Sequence, residues 1–357
     1  MTIKRHLFCS VLFILFYTAA LAQNIRPQTP VEPFLYKVEN VEFFNIADSA
    51  LLSGTITIPN GKGPFATVVL ITGSGSQNRD EEIFGHKPFM VIADYLTRNG
   101  VVVLRFDDRG IGKSTAGKGD ITTQSNSRDV AAAIDFIKTR NEVNKSKIGL
   151  IGHSEGGAIA FSLAANRKDI NFLVSLAGCG VTGDKILLSQ QRIYFKAAGA
   201  PDNMVETALN NNKEYFKIVN NSNSNNLEFK KLLTDWLKEK SSMITQEQID
   251  AQLKTLTLPW MYNFIKYDPY NDIKNVKIPV LAINGKKDTQ VLSSINLPAI
   301  ETALKEGGNT KYKIIEPNEL NHLFQNCKTG MIDEYKEIEE TFDLEILNIL
   351  SNWILQQ

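Results

Sequence analysis

The sequence predicts an α/β protein: a doubly wound, mostly parallel sheet, interrupted late in the chain by an inserted helical cap. Three observations carry that prediction. Residues 36–44 and 51–58 read as antiparallel strands, the second alternating through Leu52, Gly54, Ile56 and Ile58 as a strand with one solvated face does. From residue 66 onward, unbroken apolar runs alternate with helical patterns, the rhythm of β–α units whose sheet is covered on both faces. Between residues 182 and 270 only helical patterns occur, and the sheet pattern then resumes.

The chain begins with Lys4 and Arg5, a nearly all-apolar run over residues 7–21, and the small-x-small signature Ala20-Leu21-Ala22. This is the pattern of a secretory signal peptide over residues 1–22, cleaved to leave Gln23. An apolar run of about 15 residues falls short of the roughly 20 that span a bilayer, so no stable membrane insertion is expected after cleavage. Cys9 lies inside the run, too early to serve as a lipid-bearing cysteine at the cleavage point. The protein is expected to be exported, to the periplasm or beyond. Residues 23–36, polar with three prolines, read as a linker.

The first part of the core is expected over residues 37–181. Residues 66–72 form its first fully buried strand. Phe89, Ala93 and Leu96 mark a helix that Asn99-Gly100 stops. Residues 101–106 are the next strand, and Val130, Ala133, Ile134 and Ile137 give the i, i+3, i+4, i+7 pattern of another helix. Strands at 148–151 and 172–176 flank a helix carrying Ala158, Ile159, Phe161, Leu163 and Ala164. In the cap, 182–270, Ile186, Ile193 and Ala197 share one helical face. Pro201 opens a second helix along Val205, Leu209 and Phe216, and Phe229, Leu232, Leu233 and Trp236 mark a third. Thr245 and Gln248 form a capping box before Ile249, Leu253 and Leu256. The second part of the core, 271–357, holds strands at 278–284 and 311–315 and a closing amphipathic helix through Phe342, Ile346, Ile349 and Trp353.

Charge excludes some function classes. The chain balances 39 basic against 39 acidic residues, and losing Lys4 and Arg5 with the leader leaves a slight acidic excess. No basic surplus points to nucleic acid or anionic lipid. Cys179 and Cys327 remain beyond the leader, without metal-ligand spacing. Both follow late strands in an oxidising compartment, so they are expected to lie close enough to bridge.

The chemistry centres on Gly152-His153-Ser154-Glu155-Gly156, between a strand and a helix. That is the G-x-S-x-G nucleophile elbow in the context it requires. A serine nucleophile needs a base, and the base needs an orienting group. Of four histidines, His6 leaves with the leader, His86 sits near an early helix start, and His153 adjoins the serine, where consecutive side chains diverge. His322, in the loop after the last strand, is the candidate base. Asp288, directly after the penultimate strand, is the candidate acid in the order Ser…Asp…His, a better fit than Asp268 or Asp272. The oxyanion donors are expected to be the N–H of Glu155 and that of Ser74 in Thr72-Gly73-Ser74-Gly75-Ser76, with Gly75 as the alternative. Trp260, Tyr262, Phe264, Tyr267 and Tyr270 form the densest aromatic cluster. It reads either as a wall of the substrate pocket, through Trp260, Phe264 and Tyr267, or as packing of cap on core. No metal or organic cofactor is called for.

These residues resemble the α/β-hydrolase superfamily and, within it, the exported bacterial serine esterases related to the serine aminopeptidase and acyl-CoA thioesterase branches. The resemblance runs from about residue 37 to the C-terminus. It rests on residues 73–80 (GSGSQNRD), 105–114 (RFDDRGIGKS) and 152–156, with Asp288 and His322. It implies the same triad of Ser154, Asp288 and His322. It also maps the family's Asp-x-Gly-x-Gly-type loop onto residues 108–114, where Asp108 and Arg109 are expected to pair and brace the oxyanion loop. The chain departs from lipase-like members by carrying Thr72-Gly73 where they read His-Gly. The expected activity is that of a carboxylesterase acting on small-molecule esters, with short acyl chains preferred because the inserted helices and the aromatic cluster over residues 260–270 are expected to enclose the site. An aminopeptidase is the alternative, and would need acidic residues such as Glu206, Glu214 and Asp250 to hold an ammonium. A thioesterase is a further alternative, and a non-catalytic binding protein on the same fold stands further off. The sequence is silent on oligomeric state.

Overall fold

The computed structural model describes residues 26–357, so the expected signal peptide lies outside the described residues. Two antiparallel strands, β1 (Lys37–Asn45) and β2 (Ala50–Ile58), precede the β–α units. These run β3 (Phe65–Ile71), α1 (Pro88–Arg98), β4 (Val101–Phe106), α2 (Thr123–Ile137), β5 (Val143–His153), α3 (Glu155–Asn166) and β6 (Phe172–Leu176). Helices α4 (Gly183–Ala197), α5 (Asp202–Asn221), α6 (Leu227–Lys240), α7 (Gln246–Leu256) and α8 (Pro259–Lys266) follow without a strand. The chain then completes the sheet with α9 (Tyr270–Asn275), β7 (Val280–Ile283), α10 (Ser293–Glu306), β8 (Tyr312–Ile315) and α11 (Leu344–Leu355).

The strands form one eight-stranded sheet in the order β1-β2-β4-β3-β5-β6-β7-β8, parallel from β4 to β8. Side-chain alternation divides its core in two. Val69 and Ile71 of β3, with Val102 and Leu104 of β4, pack under α2, α3, α9 and α10. Val68 and Leu70, with Val101 and Val103, pack on the other face under α1 and α11. Both faces are therefore covered, which is why these strands read as unbroken apolar runs. The chain steps from β3 outward to β4, then back past β3 to β5. Loops leaving the carboxyl ends of β3 and β5 thus part in opposite directions, and the crevice between them is where such a sheet binds ligands.

The helices between β6 and β7 build a core of their own from Phe216 and Val219 (α5), Phe229, Leu233 and Trp236 (α6), Ile249 (α7) and Met261 and Ile265 (α8). A smaller cluster joins this cap to the sheet layer through Ala158, Cys179, Ile186, Phe264 and Val291. The Thr245/Gln248 capping box starts α7 as expected. Three helices went unread in the sequence. Pro298 lies inside α10 and breaks its pattern, while α8 and α9 are short and separated by only a few residues.

Two expectations need correcting. The described part of the linker is bound to the core: Arg26 donates to the carbonyls of Ile338, Phe84 and Lys336, and Gln28 bonds Thr341 and Phe342. Cys179 and Cys327 are both free thiols. Cys179 is buried where the cap meets the sheet layer, whereas Cys327 bonds the Glu319 carbonyl in the loop after β8. Among the described residues no helix is long and apolar enough to cross a membrane.

Candidate active site

Ser154 makes the whole turn between β5 and α3, with φ 55° and ψ −120°. A non-glycine residue held there stores about 1–3 kcal/mol of backbone strain. Glycines permit the turn: a Cβ on Gly152 would collide with the Gly156 carbonyl, and one on Gly156 with the carbonyls of Ile71 and Thr72. The Ser154 N–H is pinned to the Leu176 carbonyl at 2.9 Å. The serine caps the N-terminus of α3, so the positive end of that helix lies at Ser154.

The loop after β3 faces the serine, since a Cβ on Gly73 would lie 3.1 Å from Ser154 Cβ. Among the described residues, neither the Ser74 N–H nor the Glu155 N–H has a protein acceptor, so both remain free to bind an anion. Carboxylates on the far side brace the loop. Asp108 accepts from Thr72 Oγ1 and from the Gln77 N–H, each at 2.8 Å. Burial pushes Asp108 up to about 7, against those two bonds, which favour its charge. Asp107 takes the Arg79 backbone N–H at 2.8 Å and its guanidinium at both oxygens, and Arg105 pairs with Asp80. The expected Asp108–Arg109 pair does not form. Arg109, fully buried, forks onto Asp129 at 2.7 Å and reaches Asp48 at 2.8 Å, tying α2 to the β1–β2 turn. Asp108 braces the loop after β3 unaided by Arg109.

Asp288 and His322 come together from the loops after β7 and β8. His322 Nδ1 donates to Asp288 Oδ2 at 2.7 Å, and the other carboxylate oxygen takes the N–H groups of Gln290 at 2.7 Å and Val291 at 2.9 Å. A proton on Nδ1 leaves Nε2 as the lone-pair nitrogen of the neutral ring. The two loops are cross-bonded, Lys287 N–H to the Leu320 carbonyl at 3.1 Å. Asn321, fully buried, knits the His322 turn by accepting from Leu323 and Gln325 N–H. The His322 ring lies 4.6 Å, centroid to centroid, from that of His153, the residue before the serine. Among the described residues the Ser154 hydroxyl makes no hydrogen bond to His322; such contacts commonly tighten only with substrate.

His86 is buried elsewhere, bonded to Thr341 Oγ1 at 2.8 Å and the Tyr335 carbonyl at 3.0 Å, and burial lowers its basicity. His153 points away from the serine into Glu81. Asp272 takes the Tyr267 hydroxyl at 2.8 Å. Of the aromatics, Trp260 stacks on Phe264 at 4.9 Å and donates its indole N–H to Glu155 Oε2 at 2.9 Å. Tyr267 also reaches the Ala158 carbonyl at 3.3 Å, on α3. Glu206 pairs with Arg192, and Glu214 with Lys240 and Trp236; Asp250 bonds Gln246. All three are exposed on helix faces and form no acidic cluster. Among the described residues no group of His, Cys, Asp and Glu is arranged to hold a metal ion.

Sequence reasoning missed two buried carboxylates. Glu155 Oε1 accepts from Thr123 Oγ1 at 2.6 Å while its other oxygen holds Trp260, so this residue ties the elbow both to α2 and to the cap. Glu81 bonds the Gly73 N–H at 2.8 Å and His153 at 2.9 Å. In the sequence Glu81 sits inside Asp80-Glu81-Glu82, which looks like a solvated charge run.

Residues 86–322 match the serine aminopeptidase S33 family of hydrolases. The chain belongs to this family. Its members share the α/β-hydrolase fold seen here, and several solved hydrolases superpose on it. Esterase Pf2001 of Pyrococcus furiosus aligns over 90% of this chain and 91% of its own, with TM-score 0.55 and 18% identity. The α/β hydrolase GrgF of Penicillium aligns over 90% and 98%, with TM-score 0.54 and 15% identity. At those identities the likeness concerns the fold alone. Esterase EstD of Thermotoga maritima is 30% identical over 277 residues, 76% of this chain. This S33-family chain spans 58% of EstD's length.

Proposed function

We propose that this S33-family hydrolase is a serine carboxylesterase for short-chain acyl esters. The observation that carries the reading is one serine in a strained strand-to-helix turn, beside a His322–Asp288 pair and two unengaged backbone N–H groups. Ser154 Oγ attacks the ester carbonyl while His322 Nε2 takes its proton. The N–H groups of Ser74 and Glu155, with the α3 dipole, stabilise the oxyanion. His322 returns the proton to the leaving alcohol, and Asp288 steadies the imidazolium that forms in between. Water then repeats the sequence on the acyl-enzyme and releases the acid.

The esterase named among the relatives supports ester over amide, as does the dispersal of Glu206, Glu214 and Asp250, which leaves no acidic cluster in the cap to hold a substrate ammonium. The stacked Trp260 and Phe264, where the cap meets α3, favour a short acyl group. The test compares p-nitrophenyl acetate, butyrate and palmitate with an aminoacyl p-nitroanilide on one preparation. Acetate or butyrate should turn over fastest; faster turnover of the anilide assigns the protein to peptide cleavage instead. We further propose export, on the basic start, apolar run and Ala20-Leu21-Ala22 of residues 1–22. Sequencing the N-terminus of protein from a fractionated bacterial host should return Gln23 in the exported fraction; an intact Met1 in the cytoplasm contradicts export.

A further inference from the structure

We propose that His153 is an imidazolium at neutral pH and, with Glu81, a positioning pair that holds both the base and the oxyanion loop. The charge follows from the partners. His153 Nδ1 lies 2.9 Å from Glu81 Oε1, and Nε2 lies 2.9 Å from the backbone carbonyl of His322. Both partners are acceptors. A neutral imidazole has one N–H and satisfies one of them; only the imidazolium donates to both. Burial opposes that charge, but the Glu81 carboxylate and the hydrogen bonds outweigh it and hold the ring above the usual histidine range. The groups facing His153 are Glu81 from the loop after β3, Asp288 from the loop after β7, and the ring and carbonyl of His322 from the loop after β8.

The geometry gives the pair three grips. Nε2–H fixes the backbone of the very residue read as the base. Glu81 Oε1 takes the Gly73 N–H at 2.8 Å, one residue before the Ser74 donor. His153 itself belongs to the elbow, one residue before Ser154. A single buried ion pair thus sets the spacing of nucleophile, base and oxyanion donor, where displacements of about 1 Å cost up to 10²-fold in rate. Its charge has a second effect. The Glu81 carboxylate stands behind the ring, and without the imidazolium its charge would favour a charged His322, which cannot act as a base.

This inference rests on the reading of His322 as the base, so its test has a readout that does not depend on turnover. Two-dimensional ¹H–¹⁵N spectra of histidine-labelled protein should show both ring nitrogens of His153 protonated at pH 7.5. A single protonated nitrogen there overturns the assignment, whatever the activity. His153→Gln, which keeps one donor and loses the charge, should lower kcat by about 10- to 100-fold with KM little changed. The acidic limb of its kcat/KM profile should move upward by about one pH unit. Wild-type kcat and an unmoved limb in folded His153→Gln would refute the positioning role. Should that variant not fold, Glu81→Gln tests the positioning role through kcat: it should lower kcat by about 10- to 100-fold with no upward move of the acidic limb, because the carboxylate goes together with the reason for the imidazolium, and wild-type kcat in that variant would refute the role.

Discussion

His322 and His153 stand ring beside ring, 4.6 Å apart, each bonded through Nδ1 to a buried carboxylate. Their second nitrogens differ. His153 Nε2 is spent on a backbone carbonyl, whereas His322 Nε2 has no hydrogen-bond partner among the described residues. A ring bonded at both ends is a strut; a ring bonded at one end keeps a lone pair for a proton. The carboxylates differ as well. Asp288 spends its other oxygen on two N–H groups of its own loop, while Glu81 reaches across to Gly73. Equal chemistry therefore yields unequal roles, decided by what the second nitrogen meets.

Placing the same substitution in both rings sharpens that contrast most. His322→Gln should cost about 10⁶-fold in kcat, as removal of a triad base does, against the loss of at most about 10²-fold expected for His153→Gln. Equal losses measured on p-nitrophenyl acetate would erase the distinction. The carboxylates should follow suit. Asp288→Asn should lower kcat about 10⁴-fold by upsetting the tautomer. In a cycle of Glu81→Gln with His153→Gln, the double variant should be little worse than either single one, since both break one unit. Fully additive losses would mean that the two residues act separately.

The pH dependence carries a sign. The folded value of His153 is raised, so its contribution is complete below about pH 6.5, the ordinary histidine value. It is lost as pH rises through the raised value. Asp108 is raised too, but as an acid: it is neutral in the folded protein up to about 7, and charged in the unfolded chain above its ordinary value of 3.8. Its burial therefore subtracts stability increasingly as pH climbs between those values. Asp108→Asn has one acceptor for two donors, leaving Thr72 Oγ1 or the Gln77 N–H unpaired at a cost of about 1–3 kcal/mol. Urea denaturation of the two proteins at pH 7 measures this, and equal midpoints would remove Asp108 from the brace. The smallest effect belongs to the cap. Trp260→Phe loses the bond to Glu155, about 1 kcal/mol, together with part of the indole surface stacked on Phe264, and should change the butyrate-to-acetate ratio of kcat/KM by about fivefold. An unchanged ratio would contradict the reading of Trp260 as a pocket wall.

Much of this was legible in the sequence because it is local. Strand runs, the elbow and the order Ser154, Asp288, His322 are written in neighbouring residues or in simple succession. What stayed hidden depends on partners far apart in the chain. Glu81 is an unremarkable member of an acidic run until the fold puts residues 73, 153 and 322 around it. Arg109 was expected to pair with Asp108 from the resemblance of residues 108–114 to the family's loop, yet adjacent residues at a loop bend point apart, and Asp48 and Asp129 take its guanidinium instead. α10 was missed because Pro298 argues locally against a helix that packing against β7 and β8 favours.

The central claim is that Ser154 is the nucleophile, and covalent labelling tests it without assuming a substrate. A fluorophosphonate should modify the purified protein at one site, and peptide mass analysis should find the adduct on Ser154. Ser154→Ala should abolish labelling and ester turnover together while melting at or above the wild-type temperature, because alanine removes no buried partner. Labelling that persists in Ser154→Ala, or an adduct on another serine, contradicts the account.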